Sequence, residues 1–372
     1  MANLYEIYSN FLFAKAGQGG IPLSGTFELT SRCNLDCRMC YIHKRANDRQ
    51  AICAERSARD WIGLAEECCA EGTLLLLLTG GEPTIRPDFR EIYTQLRRLG
   101  LVLSINSNAT LIDESMADFL AKDPPSRINI TLYGASPETY GALCGDPSAY
   151  DRVIRAILML KERGVLVKLN YSVTQYNAHD AEKVYAFAKE NGLVLQAATY
   201  MFPPIRACEQ GSCTAERMTP EEAAQAQLVY DRFRFTPAEL KARWEAQLQG
   251  LTVPDPDSEC QELPTERIKC RAGQTTFWVT WDGKLRPCGM MTVPEAVLKP
   301  GQFRRAWDEL RKLREEIMIP AGCTACKYKN LCDQCPALCW AETGSFTESP
   351  IYMCKKTEAY LKLMKKNLKI ML

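Results

Sequence analysis

The chain has 372 residues, 46 Lys and Arg against 45 Asp and Glu for a net charge of +1, and 46% hydrophobic residues. That length suits about two domains, or one large α/β domain with an appendage, and the balanced charge gives neither the basic footprint of a nucleic-acid binder nor an acidic disordered tail. There are 18 cysteines but only two histidines, His43 and His179, so imidazole chemistry is scarce and thiol chemistry abundant.

Residues 1–24 form an N-terminal segment without the basic and then unbroken apolar pattern of a secretory signal, because YSNFLF carries Ser9 and Asn10 and follows Glu6. The longest aliphatic run, LLLLL at 74–78, is far too short for a membrane span. The expected setting is therefore the cytoplasm, with no membrane contact, where cysteines more often bind metal than form disulfides. From 25 to 205 short apolar runs alternate with amphipathic stretches, the mark of parallel βαβ units. Strands are expected at 25–31, 73–79, 101–106, 127–133, 165–173 and 193–200, with helices at 57–71, 87–99, 112–121, 149–163 and 179–191. Arg163-Gly164 and Asn191-Gly192 end two of these helices. Periodicity alone fits an open or partial barrel and a doubly wound sheet equally.

Residues 206–259 bridge to the rest of the chain. They contain Cys208 and Cys213 and then a helix with Thr219 as N-cap, Pro220 as first residue and Glu221 and Glu222 at its positive end. Residues 260–372 hold nine cysteines and few strands, as if cross-links or metal had replaced packing. The chain ends in KKTEAYLKLMKKNLKIML, a basic amphipathic helix expected to pack on its own domain.

Two cysteine groups carry the chemistry. SRCNLDCRMC at 31–40 places Cys33, Cys37 and Cys40 directly after the first strand, where barrel enzymes keep their active sites. Chance gives this spacing about 0.04 times per chain, so context has to support it. Three thiolates hold a [4Fe–4S] cube by three corners and leave one iron open, whereas a fourth would close the site. CTACKYKNLCDQC at 323–335 has C-x2-C-x5-C-x2-C spacing, expected by chance about 0.002 times. Two such pairs can build a zinc site, but with Cys260, Cys270, Cys288, Cys339 and Cys354 the region has enough thiols for two cubes.

The first group resembles the CxxxCxxC signature of radical S-adenosylmethionine (SAM) enzymes, and TGGEP at 79–83 resembles their glycine-glycine-glutamate element. The resemblance implies a partial (β/α)6 TIM-like barrel, a catalytic [4Fe–4S] cluster and S-adenosylmethionine, cleaved to a 5′-deoxyadenosyl radical that takes hydrogen from a substrate. It implies ligand contacts at Gly80 and Gly81, where glycine lets backbone come close, and an ammonium acceptor in Glu82. Asn106, Ser107, Asn108 and Thr131 fall where the family places polar groups near the ligand's carboxylate and ribose, and Arg152 where it could pair that carboxylate. Met39 stands where the family usually has an aromatic residue, and Tyr41 would take over the adenine contact.

The last region resembles the iron–sulfur SPASM extension of these enzymes, through Cys270, Gly283 with four residues to Cys288, the dense run and Cys354. That implies a nearer auxiliary cluster on Cys270, Cys288 and Cys335 with Cys260, and an outer one on Cys323, Cys326, Cys332 and Cys354. The family's run has three residues between its last two cysteines and this chain has two, so Cys335 or Cys339 completes the nearer set, with Cys335 the first choice. SPASM enzymes act mostly on peptides or protein side chains. The expectation is a maturase that cross-links, through a thioether or carbon–carbon bond, or epimerises a ribosomally made precursor peptide. The alternative is a sulfatase-maturing, formylglycine-generating enzyme, but those carry Asp after the Gly-x4-Cys element and this chain has Gly289. A non-catalytic iron–sulfur or zinc protein is the reading outside enzymes. Cys208 or Cys213 could return hydrogen to a substrate radical, against the plainer reading as loop thiols. The expected partners are a precursor peptide, a flavodoxin or ferredoxin reductant and a separate leader-binding protein, because the first strand near 25 leaves no room for a leader-binding domain; nucleic acid is not expected.

Overall fold

A computed structural model describes residues 4–42, 44–203, 217–251, 268, 270–332 and 335–371. Helix α1 (Leu4–Gly19) precedes β1 (Ser24–Glu28), and a repeating series follows: α2 (Ala58–Ala70), β2 (Leu75–Thr79), α3 (Phe89–Arg98), β3 (Val102–Ser107), α4 (Glu114–Lys122) and β4 (Arg127–Thr131). Two helices, α5 (Pro137–Cys144) and α6 (Ala149–Glu162), lead to β5 (Val167–Ser172), α7 (Ala181–Glu190) and β6 (Val194–Ala198). All six expected strands form, five of them shorter than expected and the third shifted by one residue to Val102–Ser107.

The strands β1 to β6 are parallel and neighbour one another in chain order. A doubly wound sheet reverses direction at a switch point, and this one does not, so the fold is a singly wound α/β partial barrel. Packing follows from the alternation of each strand: Phe27, Leu76, Leu78, Leu103, Ile105, Ile128, Ile130 and Leu169 are buried against the helices. Helix α2 starts at a Ser57–Asp60 capping box and sets Trp61 against Phe27, ring centroids 5.0 Å apart.

Beyond the barrel, α8 (Pro220–Arg234) begins with the expected Thr219 cap, which forms a box with Glu222. Helix α9 (Pro237–Gln249) follows. The cysteine-rich region does not form a layer of its own. Its β7 (Thr276–Val279) pairs in parallel with β1 on the side away from β2, and β8 (Lys284–Arg286) and β9 (Ala296–Val297) continue the sheet to nine strands. Phe277, Val279, Leu285 and Trp307 belong to the same core as Phe27, so sheet and core cross the boundary expected at 260. Helices α10 (Phe303–Glu315), α11 (Pro336–Thr343) and α12 (Ile351–Met371) complete the chain. The terminal α12 packs on the bridging helices through Leu228, Leu240, Trp244 and Met364. Among the described residues no helix is long and apolar enough to cross a membrane.

Candidate active site

The site is built where β1 and β2 end. The chain leaving β1 is clamped by buried charge: Arg32 Nε donates to Glu55 at 2.7 Å, and Arg86 donates to the Leu29 carbonyl at 2.9 Å and to Glu55 at 3.4 Å. The turn after β2 then docks on this segment, with Gly81 N donating to Thr30 O at 2.9 Å and Glu82 N to Arg32 O at 2.8 Å. Cys33, Cys37 and Cys40 follow at once, and all three line an open cavity of about 1310 Å³ at the barrel mouth. Donors already reach the first of the sulfurs. Leu35 N and Asn108 Nδ2 each lie 3.4 Å from Cys33 Sγ. Three thiols on one cavity wall with amide donors behind them suit a cube held by three corners. Burial, then the Glu82 carboxylate, push the Cys33 thiol up to about 12; the Cys144 hydrogen bond, then burial, push Cys37 well above the ordinary thiol value. Without metal these thiols therefore hold their protons at neutral pH, and a bound iron must displace them.

Gly80 and Gly81 line the cavity as expected, but their identity has a second cause. A Cβ on Gly80 would lie 2.4 Å from Thr30 O, and one on Gly81 2.3 Å from Arg32 O. The glycines admit the chain's own backbone as well as any ligand. Glu82 does not line the cavity. It is fully buried, and its carboxylate accepts from Thr84 Oγ1 (2.6 Å), Thr84 N (3.1 Å), Ser107 Oγ (2.9 Å) and Asn108 N (2.6 Å). Burial raises its pKa and these four bonds oppose the rise. Its visible part is to clasp the ends of β2 and β3 together.

Asn106, Ser107, Asn108, Thr131 and Tyr41 all line the cavity. Arg152 does not: it is ion-paired with Asp146, six residues earlier. Sequence reasoning missed Tyr133, Asn170, Ser172, Tyr200, Phe202 and Met290, which also line the cavity. A signal existed for two of them. In β5, Leu169 and Tyr171 are fully buried on one face, so polar Asn170 and Ser172 at the alternate positions must face the barrel interior.

A second cavity, of about 660 Å³, is lined by Cys323, Cys326, Cys332, Cys335, Cys339 and Cys354. The four cysteines expected for the outer cluster are thus brought together, with both contenders for the nearer one beside them. Cys335 caps α11 and Cys339 lies one turn on. Cys288, Cys323 and Cys335 also pack on a small core of Ile268, Met291, Ile317, Ile319 and Ala337. Cys270 is exposed and does not reach this cavity, and Cys260, Cys208 and Cys213 lie outside the described residues. The thiols ring a space instead of meeting at a point: among the described residues no three His, Cys, Asp or Glu side chains gather as a single ion would require.

Residues 27–188 match the model of the Radical SAM superfamily. Over 340 residues the chain is 26% identical to the AdoMet-dependent heme synthase of Methanosarcina barkeri (strain Fusaro / DSM 804), covering 88% of this chain and 94% of that protein. Among solved structures it resembles native anSMEcpe with bound AdoMet, with a TM-score of 0.69 at 21% identity over 94% of this chain and 99% of that one. It also resembles Streptococcus suis SuiB bound to precursor peptide SuiA, with a TM-score of 0.63 at 20% identity over 94% and 81% of the two chains. At these identities the structural likenesses speak for the fold.

Proposed function

We propose that this radical SAM enzyme matures a peptide, removing hydrogen from one residue so that the residue is cross-linked or epimerised. The observation that carries the reading is the chemistry of the mouth. Its described lining offers neutral amides and hydroxyls, from Asn106, Asn108, Thr131, Asn170, Ser172 and Tyr200, and no Lys, Arg or His. Such groups match the alternating donors and acceptors of a peptide backbone.

When bound, the cluster and S-adenosylmethionine supply the hydrogen-abstracting radical, and auxiliary clusters supply further electron transfer. The chain's own residues hold and orient. Cys33, Cys37 and Cys40 would be the three ligands of the catalytic cluster, and Asn108 steadies Cys33 while accepting from Thr110 Oγ1 at 2.6 Å. Gly80, Gly81, Tyr41 and Thr131 would meet S-adenosylmethionine. Cys323, Cys326, Cys332 and Cys354 would hold an outer cluster, and Cys270, Cys288 and Cys335 a nearer one. A reductant such as flavodoxin or ferredoxin would supply electrons, and a separate protein could present the leader. Formylglycine formation is the weaker reading on steric grounds. A Cβ at Gly289 would lie 2.8 Å from the Trp278 indole, so the Asp of the sulfatase-maturing enzymes does not fit there.

The similarity to a heme synthase along most of the chain favours one other reading, action on a tetrapyrrole. Haem-type tetrapyrroles carry propionates, whose burial calls for cations. The described mouth lacks them.

The reconstituted enzyme, reduced in the presence of S-adenosylmethionine, should yield more 5′-deoxyadenosine when given a peptide encoded beside it. Mass spectrometry should find that peptide two hydrogens lighter, or deuterated from solvent at unchanged composition. Stimulation by an iron porphyrin bearing propionates, with loss of CO2 and no change in any peptide, would refute the proposal.

A further inference from the structure

Joining a substrate carbon to a second substrate group removes two hydrogens, and only one of them leaves as a hydrogen atom. The other leaves as a proton, so a cross-linking site needs a base. Among the described residues that line the mouth there is no Asp, Glu, His or Lys. Two lining hydroxyls, however, donate to carboxylates behind the wall: Ser107 Oγ to Glu82 Oε1 at 2.9 Å and Tyr200 Oη to Glu342 Oε1 at 2.5 Å. Glu82 already accepts four hydrogen bonds, which fill the four lone-pair sites of a carboxylate. Its link to the mouth is an alcohol, which parts with a proton far less readily than a phenol with its pKa of about 10. Glu342, 9% exposed, accepts from Tyr200 and from the two terminal nitrogens of Arg217, at 2.6 and 3.1 Å. Tyr200 Oη donates to Glu342 and, among the described residues, accepts from none, so its acceptor side is open to a ligand. The Tyr200 ring stands against Phe202 and Tyr352, with centroids 5.0 and 5.6 Å away.

We propose that Tyr200 is a catalytic residue, taking the proton released as the cross-link closes and passing its own along the hydrogen bond to Glu342. The substrate carbon radical meets a second group X–H, a thiol or a carbon. The X–H bond breaks and the C–X bond forms; the proton goes to Tyr200 Oη while the Tyr200 proton moves to Glu342 Oε1. The one electron left over goes to a one-electron acceptor of the iron–sulfur class. The first hydrogen has already left in 5′-deoxyadenosine, so the peptide ends two hydrogens lighter. The proton departs together with an electron, which makes X–H far more acidic than in the resting peptide, and a carboxylate then suffices as the final acceptor. Burial, then the Glu342 hydrogen bond, raise the Tyr200 pKa, so the residue stands as a neutral phenol and works as a relay. Arg217 holds the carboxylate in place, its guanidinium 4.1 Å over the Tyr352 ring. The inference rests on the reading of the enzyme as a peptide maturase and selects its cross-linking branch.

The test uses reconstituted full-length protein, the peptide encoded beside it, and the variants Tyr200→Phe and Glu342→Gln. Tyr200→Phe keeps the ring and removes only the hydroxyl. At saturating peptide, the cross-linked product formed per 5′-deoxyadenosine should fall about a hundredfold in both variants, while the dissociation constant of the fluorescently labelled peptide stays within about twofold of the parent. A residue that only shapes the mouth would weaken the peptide complex and leave that ratio unchanged. A parental ratio in Tyr200→Phe, or a product that is epimerised and carries solvent deuterium, would overturn the inference. If Glu342→Gln does not fold, Tyr200→Phe decides by the same two readings. A parent enzyme that leaves the peptide unaltered would instead sink the reading of the function as peptide maturation.

Discussion

Gly81→Ala tests whether the glycine pair is a structural requirement of the chain itself. The new Cβ would sit 2.3 Å from Arg32 O, 2.6 Å from Arg32 C and 2.8 Å from Ser31 O, all backbone atoms that cannot rotate away. Relief requires the turn after β2 to lift off the chain leaving β1, which breaks the Gly81 N–Thr30 O and Glu82 N–Arg32 O bonds. Two backbone bonds contribute about 1 kcal/mol each, and burying the orphaned groups adds a similar amount, so the cost is about 2–4 kcal/mol. That is a large share of a typical stability of about 5–15 kcal/mol. Urea unfolding of the cluster-free protein measures it, with Gly63→Ala as the contrast. Nothing lies within 4 Å of a Cβ at Gly63 in α2, so that change should stabilise by roughly 0.5–1 kcal/mol. A Gly81→Ala protein within about 0.5 kcal/mol of the parent, with unchanged affinity for S-adenosylmethionine after reconstitution, would refute the argument.

Glu342, with a side chain 9% exposed, accepts from Arg217 at 2.6 and 3.1 Å and from Tyr200 at 2.5 Å, tying the barrel mouth to the helix that carries Cys339. Glu342→Gln leaves Arg217 without its counter-charge and should cost about 2–4 kcal/mol by urea unfolding, somewhat below a fully buried pair because Arg217 is 16% exposed; a cost under about 0.5 kcal/mol would count against the network. Cys33 and Cys339 are both held up to about 12, burial being the main cause, so the fold favours the neutral thiols over the thiolates. Their folded values lie above the unfolded value of about 8.5, so the stability they contribute is complete below that pH and lost as pH rises towards 12. The urea midpoint of cluster-free protein should fall between about pH 9 and 11, and a flat profile there would contradict the burial seen for these thiols.

Much of the barrel was legible because its signals are local. Leu76, Leu78, Ile128 and Ile130 declare their strands within a few residues, and the spacing of Cys33, Cys37 and Cys40 is complete within one loop. Less legible were the side chains' own partners. Arg152 pairs with Asp146, and Glu82 is enclosed by Thr84, Ser107 and Asn108, contacts that no local pattern announces. The four residues of β7 are too short a run to announce a strand, and their pairing with β1 spans about 250 positions that no local pattern can bridge. Trp278 beneath Gly289 was equally out of reach, since the glycine's cause lies in the neighbouring strand.

That long-range pairing sets the relation between the two cysteine regions. Phe27 of β1 is in register with Leu78 on one side and Val279 on the other, and Trp278 is in register with Arg286 of β8. Cys288 follows two residues after β8 and Met290 lines the mouth, while Cys33 follows five residues after β1 in the same cavity wall. Cys33 and Cys288 therefore hang from adjacent elements of one sheet, not from domains joined by a hinge. Moving one against the other would break the β1–β7 ladder and open a core containing Phe27, Phe277 and Trp307. A sheet so bonded is rigid on the scale of a hydrogen bond, so adjustment to a substrate must come from side chains at the mouth, Tyr133, Tyr200, Phe202 and Met290 among them, and not from separation of the two regions.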